Sequence, residues 1–332
     1  MLITLDDAVA RLTKGDVVAL PTETVYGLAG LALNIETVKK IFTIKGRPAT
    51  NPLIVHTSSL EKAEELCEIN DWANKIASQF WPGPISMVLP KKHIVPNIVT
   101  AGNETVAIRV PQHPVFLEIL KKLEQPLAAP SANPSNRTSP TEAKHIKELF
   151  EENSPPTVDG GKAEVGLEST VIDLSAGTPT ILRPGMITRT ELANCLGMDV
   201  GTLKSKTQYK QVGKDTQSSA PSPGMQPIHY APKTPLNLYH SVGEFWDSQN
   251  FDTGDVIIVS EEKIAEEIRA KGLPDSTYLS ADGCPHEIAQ NLYSTLIEQD
   301  AQKANRMHLI FSGASTGVNW AILDRLRRAA RT

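Results

Sequence analysis

Three runs of sequence carry the residues best suited to chemistry. Pro21-Thr22-Glu23-Thr24-Val25-Tyr26-Gly27-Leu28 places hydroxyls and a phenol in a turn behind an apolar stretch, 17–20. Lys45-Gly46-Arg47-Pro48, Asn51 and His56 follow within thirty residues. Two cations with no acid beside them make a phosphate clamp. The amide, imidazole and hydroxyls suit a small polar substrate held next to that phosphate. Pro130-Ser131-Ala132-Asn133-Pro134, running on to Ser139-Pro140-Thr141, gathers hydroxyls and Arg137 after an apolar stretch at 127–129. Loops at strand ends are where α/β folds bind ligands. Each run also has a bland reading, as solvated surface charge or as a Ser/Asn-rich turn. Arg109 interrupts the apolar run VAIRVP, with Ile108 and Val110 on the opposite face, so it meets either solvent or a cleft. A partly buried arginine requires a carboxylate partner. Glu168-Ser169-Thr170 and Arg183-Pro184-Gly185 bracket two further strands and say little alone.

The elements that position these runs alternate between strand and helix. Periodicity places helices at 5–14, 35–43, 60–68, 72–80, 115–123 and 141–150. Strands are expected at 17–20, 53–56, 86–90, 106–110, 127–129, 170–174 and 180–183. From 205 to 235 the chain turns polar and proline-rich, as a linker does. Its final run, Ser222-Pro223-Gly224 to His229-Tyr230-Ala231-Pro232, is too patterned for an inert spacer. Beyond it, strands at 256–259 and 307–311 and helices at 264–271, 285–300 and 320–330 imply a small parallel sheet covered by helices. The expected organisation is therefore a first domain at 1–204, a linker at 205–232 and a smaller domain at 233–332.

Composition excludes several classes of function. With 332 residues, 40% hydrophobic and 21% charged, the chain can bury a substantial core. No run of 18 apolar residues exists to cross a membrane as a helix. Asp6 and Asp7 stand where a signal peptide needs an apolar stretch. Cys67, Cys195 and Cys284 form no CxxC pair, and His56, His113, His145 and His229 show no i, i+4 pairing, so neither a disulfide framework nor a protein-held metal is expected. These features together point to the cytoplasm. Net charge is −5, divided as −3 over 1–204, +2 over 205–232 and −4 over 233–332. No part has the basic excess by which proteins grip nucleic acid phosphates, so direct nucleic-acid binding, tRNA included, is expected to be weak or absent. Neither GxxxxGK[ST] nor GxGxxG occurs, so an ATP site here would lack both phosphate-loop signatures.

Taken in order, PTETVYGL, KGRP, NPLIVH, WPGP, VAIRVP, PSAN with SPT, GLESTVID, ILRPG and SPGMQPIHYAP closely resemble the YrdC-like threonylcarbamoyl-adenylate synthases in their two-domain form. The resemblance covers about 5–235 motif by motif. It implies an α/β fold, a twisted YrdC-like sheet flanked by helices, with a smaller Rossmann-like C-terminal domain. It implies a nucleotidyltransferase that condenses L-threonine, bicarbonate and ATP to threonylcarbamoyl-AMP and pyrophosphate. A downstream protein complex then transfers the group to the adenosine beside a tRNA anticodon. The resemblance maps the reaction core to Lys45, Arg47, Ser131 and Asn133. Threonine contacts fall on Thr24, His56, Arg109, Ala129 and Ser169, with Ala129 replacing a threonine common in the family. Nucleotide contacts fall on Arg47, Asn51, Thr105, Ser131, Ser139, Arg183 and Tyr230. Mg²⁺ is expected to ride on the phosphates, and the linker to act as a lid. Two rival readings are an RNA-binding YrdC-like module without catalysis and a carbamoyl transferase of the hydrogenase-maturation type. The second lacks the CxxC zinc modules of that class.

Overall fold

The computed structural model describes residues 1–202 and 230–330. Nine strands form one mixed sheet: β1 (Val18–Leu20), β2 (Gly27–Leu31), β3 (Ile54–His56), β4 (Ile85–Pro90), β5 (Thr105–Arg109), β6 (Leu127–Ala128), β7 (Thr170–Asp173), β8 (Thr180–Arg183) and β9 (Gly201–Thr202). Their order is β1-β2-β6-β3-β5-β4-β7-β8-β9. Four more, β10 (Leu236–Tyr239), β11 (Val256–Glu261), β12 (Thr277–Ser280) and β13 (Met307–Ile310), form a separate all-parallel sheet in the order β10-β13-β11-β12. The α/β class and the small parallel second sheet match the reading of the sequence.

Side-chain alternation along the central strands sets up the site. In β5, Val106 and Ile108 enter the main apolar core with Met87, Val55 and Ile172. The residues between them, Ala107 and Arg109, face the other way. On that second face Ile54, Val88, Ala107, Val171 and Leu182 form only a small apolar floor. The strand register sets His56 opposite Arg109 and Ile54 opposite Ala107. Polar side chains thus gather at one end of a sheet whose other face is dry.

Some boundaries differ from those expected. β2 was not anticipated: its sequence, GLAGL, has the glycine content that weakens strand signals. Gly27 is needed there because a Cβ at that position would sit 3.2 Å from the Cβ of Ala129. The expected helix at 141–150 begins instead at Ala143. Nδ1 of buried His145 accepts the N–H groups of Thr141 and Glu142 at 3.3 and 3.2 Å and holds those two residues as a cap. The expected helix at 60–68 runs only Leu60–Glu64. β10, β12 and the helices Arg189–Leu196 and Val242–Ser248 lie outside the periodic patterns that were read. Of the expected linker, only 230–232 fall within the described residues; Ser222 to His229 lie outside them.

Candidate active site

The PTETVYG turn is built on one hydroxyl. Thr22 Oγ1 accepts the N–H groups of Thr24 and Val25, and its own hydroxyl lies 2.6 Å from the Val25 carbonyl. This brings Thr24 Oγ1 to 3.0 Å from the Arg109 guanidinium, which donates to it. Arg109 is buried, gives Nε to the Gly83 carbonyl and pairs with Glu23 at 2.7 Å. Its placement in a cleft with a carboxylate partner fits the cleft alternative. Tyr26, by contrast, does not reach the cleft. Its hydroxyl donates to the Gly161 carbonyl and accepts from Gly160 N–H, pinning 159–161, and burial raises its pKa to about 12.

The cations follow from one helix C-terminus. Helix Ile35–Lys45 stops at Gly46, which takes a left-handed φ of 59°. The chain then turns so that Arg47 Nε and Nη2 donate to the carbonyls of Asn51 and Pro52 at 3.1 and 2.8 Å. Arg47 faces the cleft, and burial lowers its pKa to about 9, leaving it charged at neutral pH. Lys45 is not on the cleft wall. Its Nζ donates to the carbonyls of Ser131 and Asn133, so it braces the PSAN loop from behind. Burial, with Arg47 beside it, holds its pKa well below the lysine range.

The remaining wall comes from the neighbouring strands. Ser131 and Ala129 lie beside Gly27, to which Ser131 is bridged. Ser169 shares a hydrogen bond with Ser86 at 2.8 Å, and Arg183 grips Ser169 through both its carbonyl oxygen and its hydroxyl. His56 packs on Phe116, and burial with Arg109 nearby lowers its pKa to about 3, so it is neutral. Ser139 donates to Glu168 at 2.6 Å. Tyr230, at the edge of the described residues, is buried and held at a φ of 66°, a conformation bulky side chains rarely adopt.

The cleft thus brings together Thr24, Arg47, His56, Arg109, Ala129 and Ser131, and with them Ser169, Arg183 and Tyr230. Asn51, Asn133 and Ser139 lie close behind this wall through their bonds to Arg47, Lys45 and Glu168. Thr105 does not join them. It begins β5, about 13 Å along the strand from Arg109 at the usual rise. Three of these residues keep buried polar atoms unpaired: both amide atoms of Asn51, Nδ1 of His56 and Oδ1 of Asn133. Such atoms cost free energy unless a ligand completes them. Sequence reading gave Glu168 no role, yet it lines the cleft. It also missed Arg325 and Tyr293 of the C-terminal part, which bond to Glu168 at 3.0 and 3.1 Å. A signal for Arg325 was available: it sits on the apolar stripe Val318, Ala321, Ile322, Leu326, Ala329.

Metal binding has little protein support. Glu168 is the one cleft-lining carboxylate among the described residues, and its oxygens already accept Ser139, Tyr293 and Arg325. Glu142, His145 and Glu298 cluster elsewhere. Because His145 Nδ1 accepts backbone N–H groups, its Nε2 carries the proton and has no lone pair for a cation. Lys144 lies 3.3 and 3.4 Å from the two glutamates and offsets one of their two charges. Among the described residues no helix is long and apolar enough to cross a membrane.

Residues 10–185 match the Sua5/YciO/YrdC family model, described as telomere recombination. Residues 187–331 match the model described as the C-terminal domain of threonylcarbamoyl-AMP synthase. The threonylcarbamoyl-AMP synthase of Pyrococcus abyssi is 37% identical over 97% of this chain and 93% of its own length. That of Bacillus subtilis is 36% identical over 97% and 92%. A crystal structure of Pyrococcus abyssi Sua5 complexed with L-threonine superposes with a TM-score of 0.79 at 34% identity, covering 98% of this chain and 94% of the other. Matched across both its parts, and along nearly its whole length by two-domain relatives, the chain belongs to the threonylcarbamoyl-AMP synthase family.

Proposed function

We propose that this chain is an L-threonylcarbamoyladenylate synthase, condensing L-threonine, CO₂ and ATP to threonylcarbamoyl-AMP and pyrophosphate, with one water also released where bicarbonate supplies the carbon. One observation carries the reading: Arg47, Arg109 and Arg183 converge on one cleft, beside buried amide and imidazole atoms that lack partners. The threonine amine adds to CO₂ to give a carbamate. A carbamate oxygen attacks the α-phosphorus, the bond to the bridging oxygen breaks and pyrophosphate leaves. No protein nucleophile is required; positioning and charge stabilisation are.

On this reading the residues take the following roles. Arg109 takes the threonine carboxylate, with Thr24 and neutral His56 around the amino acid and Ser169 offering its hydroxyl. Ala129 contributes only backbone and a methyl group there. Arg47 and Arg183 meet the phosphates, and Ser131, Asn133 and Asn51 orient the nucleotide. Lys45 fixes the 131–133 loop and adds positive charge behind it. Mg²⁺ would be held by the ATP phosphates and by water, since the described residues offer no open carboxylate cage in the cleft. Tyr230 closes the nucleotide end as the anchor of a lid at 205–232, between units at 1–204 and 233–332, keeping the mixed anhydride from water. The product would pass to a protein complex that modifies tRNA, in the cytoplasm; the acidic charge balance favours hand-off over direct tRNA binding.

The test is pyrophosphate release from ATP with Mg²⁺ and bicarbonate, with and without L-threonine. Release requiring both threonine and bicarbonate is expected. Threonine-independent release, or none from folded protein, would overturn the reading.

A further inference from the structure

Arg325 is fully buried in helix Gly317–Ala329, on that helix's apolar stripe, and it makes its contacts outside the C-terminal sheet. Its Nε donates to Glu168 Oε2 at 3.0 Å. Its guanidinium lies over the Tyr230 ring, 5.2 Å from the centroid. Nη1 is held by Asp324 at 2.9 Å, which fixes the plane of the group. Tyr293, from helix Pro285–Ala301, donates its hydroxyl to the same Glu168 oxygen and stacks on Tyr230 with centroids 5.9 Å apart. The other Glu168 oxygen accepts Ser139. Glu168 and Tyr230 both line the cleft; Arg325 and Tyr293 do not.

A buried ion pair is seldom an economical way to stabilise a fold. This one joins a cleft-lining carboxylate and a strained cleft-lining tyrosine to a helix of the other domain. From these contacts we infer that Arg325, assisted by Tyr293, is the positioning residue through which the C-terminal domain sets the nucleotide end of the cleft. It acts through Glu168 and Tyr230 and touches no substrate itself. The inference deepens the synthase reading and rests on it for the identity of the nucleotide. It gives the C-terminal domain a defined task in the N-terminal domain's site. It also predicts that the effect falls on ATP more than on threonine, because Tyr230 neighbours Arg47 and Arg183, the cations given to the phosphates, while Arg109 neighbours Thr24 and His56.

The experiment compares full-length wild type with Arg325→Met, Arg325→Lys, Glu168→Gln, the charge-balanced pair Glu168→Gln/Arg325→Met, and Tyr293→Phe. The readouts are KM for ATP and for threonine in pyrophosphate release, ATP dissociation constants from calorimetry, and thermal unfolding. Arg325→Met should raise KM for ATP about tenfold or more while KM for threonine moves less than about threefold. Arg325→Lys should recover part of the loss, because it keeps the charge over Tyr230 but loses the fork. The double variant should be no worse than Glu168→Gln alone, the non-additivity expected of one chain of contacts. Tyr293→Phe should shift ATP binding in the same direction by a smaller factor. A merely structural arginine would lower the unfolding temperature and leave both KM values unchanged; that result overturns the inference. So does a double-variant loss equal to the product of the two single losses. If Arg325→Met does not fold, the double variant decides, and wild-type ATP binding in it would sink the coupling. Wild-type protein that releases no threonine-dependent pyrophosphate, yet binds ATP in an Arg325-dependent way, would instead fault the synthase reading and leave the coupling standing.

Discussion

Arg109 pairs with Glu23 at 2.7 Å, and both side chains are almost wholly buried. Apart from this pair the Glu23 carboxylate has no hydrogen-bond partner among the described residues. The pair makes a sharp prediction about threonine binding, because one perturbation has two separable consequences. Arg109→Met leaves Glu23 as an uncompensated buried charge, which costs about 3–5 kcal/mol of stability. Adding Glu23→Gln removes that charge and should restore most of the loss. It cannot restore the threonine carboxylate's cation. A hydrogen bond to a charged group is worth roughly 1.5–3 kcal/mol, so threonine affinity should stay lowered by about 10- to 150-fold in the double variant. Urea unfolding measures the first effect, and calorimetric titration with L-threonine the second. Stability that returns while binding does not would assign Arg109 to the substrate carboxylate. Near-normal threonine affinity in a folded double variant would refute the assignment and leave Arg109 as a partner of Glu23 alone.

Lys45→Met should lower kcat/KM by about a hundredfold with little loss of fold, because the carbonyls of Ser131 and Asn133 lose the ammonium that fixes their loop; steady-state kinetics beside circular dichroism checks this. Arg47→Ala should act mainly on ATP, and equal damage to threonine and ATP binding would contradict its place in the scheme. His56 and His145 are buried neutral, with pKa values lowered to about 3 and about 4, largely by burial. Folding therefore binds fewer protons than the unfolded chain below pH 6.5. Their contribution is present above that pH and fades as pH falls toward 4 and then 3, each by about 1.4 kcal/mol per unit at most. His145→Gln should flatten the stability curve between pH 6.5 and 4, and an unchanged slope in urea unfolding would disprove it.

How much of this was legible before the fold depended on whether a signal was local. Arg109 was readable because Ile108 and Val110 commit the opposite face of β5 to the core, leaving only cleft or solvent. The KGRP turn was readable because Gly46 marks a helix C-terminus. Lys45 was readable as a site cation but not as a brace, because its partners are backbone carbonyls 86 and 88 residues away. Such carbonyls leave no trace in residue types. β2 escaped for the opposite reason: Gly27 is closely approached by Ala129 and Gly30 by Thr37 and Ile41, tertiary demands that override strand propensity. Glu168 looked unremarkable until two residues more than 120 positions later in the chain converged on it. Thr105 falls outside the cleft lining, at the start of β5 and opposite Pro90, while sharing the face of Ala107 and Arg109.

The charge arrangement explains why a chain with net charge −5 can hold a polyanion. Four of the buried cations fall into two kinds. Arg109 and Arg325 have carboxylate partners inside the protein at 2.7 and 3.0 Å, the first pair beside Thr24 and the second beside Tyr230. Lys45 and Arg47 donate to carbonyl oxygens, and among the described residues neither takes part in an ion pair. Carbonyl dipoles orient a cation without cancelling its charge, so its field remains available to a ligand. Burying such charges costs several kcal/mol that no internal partner returns. Triphosphate oxygens meeting Arg47 would return it, with the unpaired amide of Asn51 completed nearby. The cationic field needed for phosphoryl chemistry is thus confined to one water-poor cleft, and an acidic exterior does not oppose it beyond a screening length of about 8–10 Å.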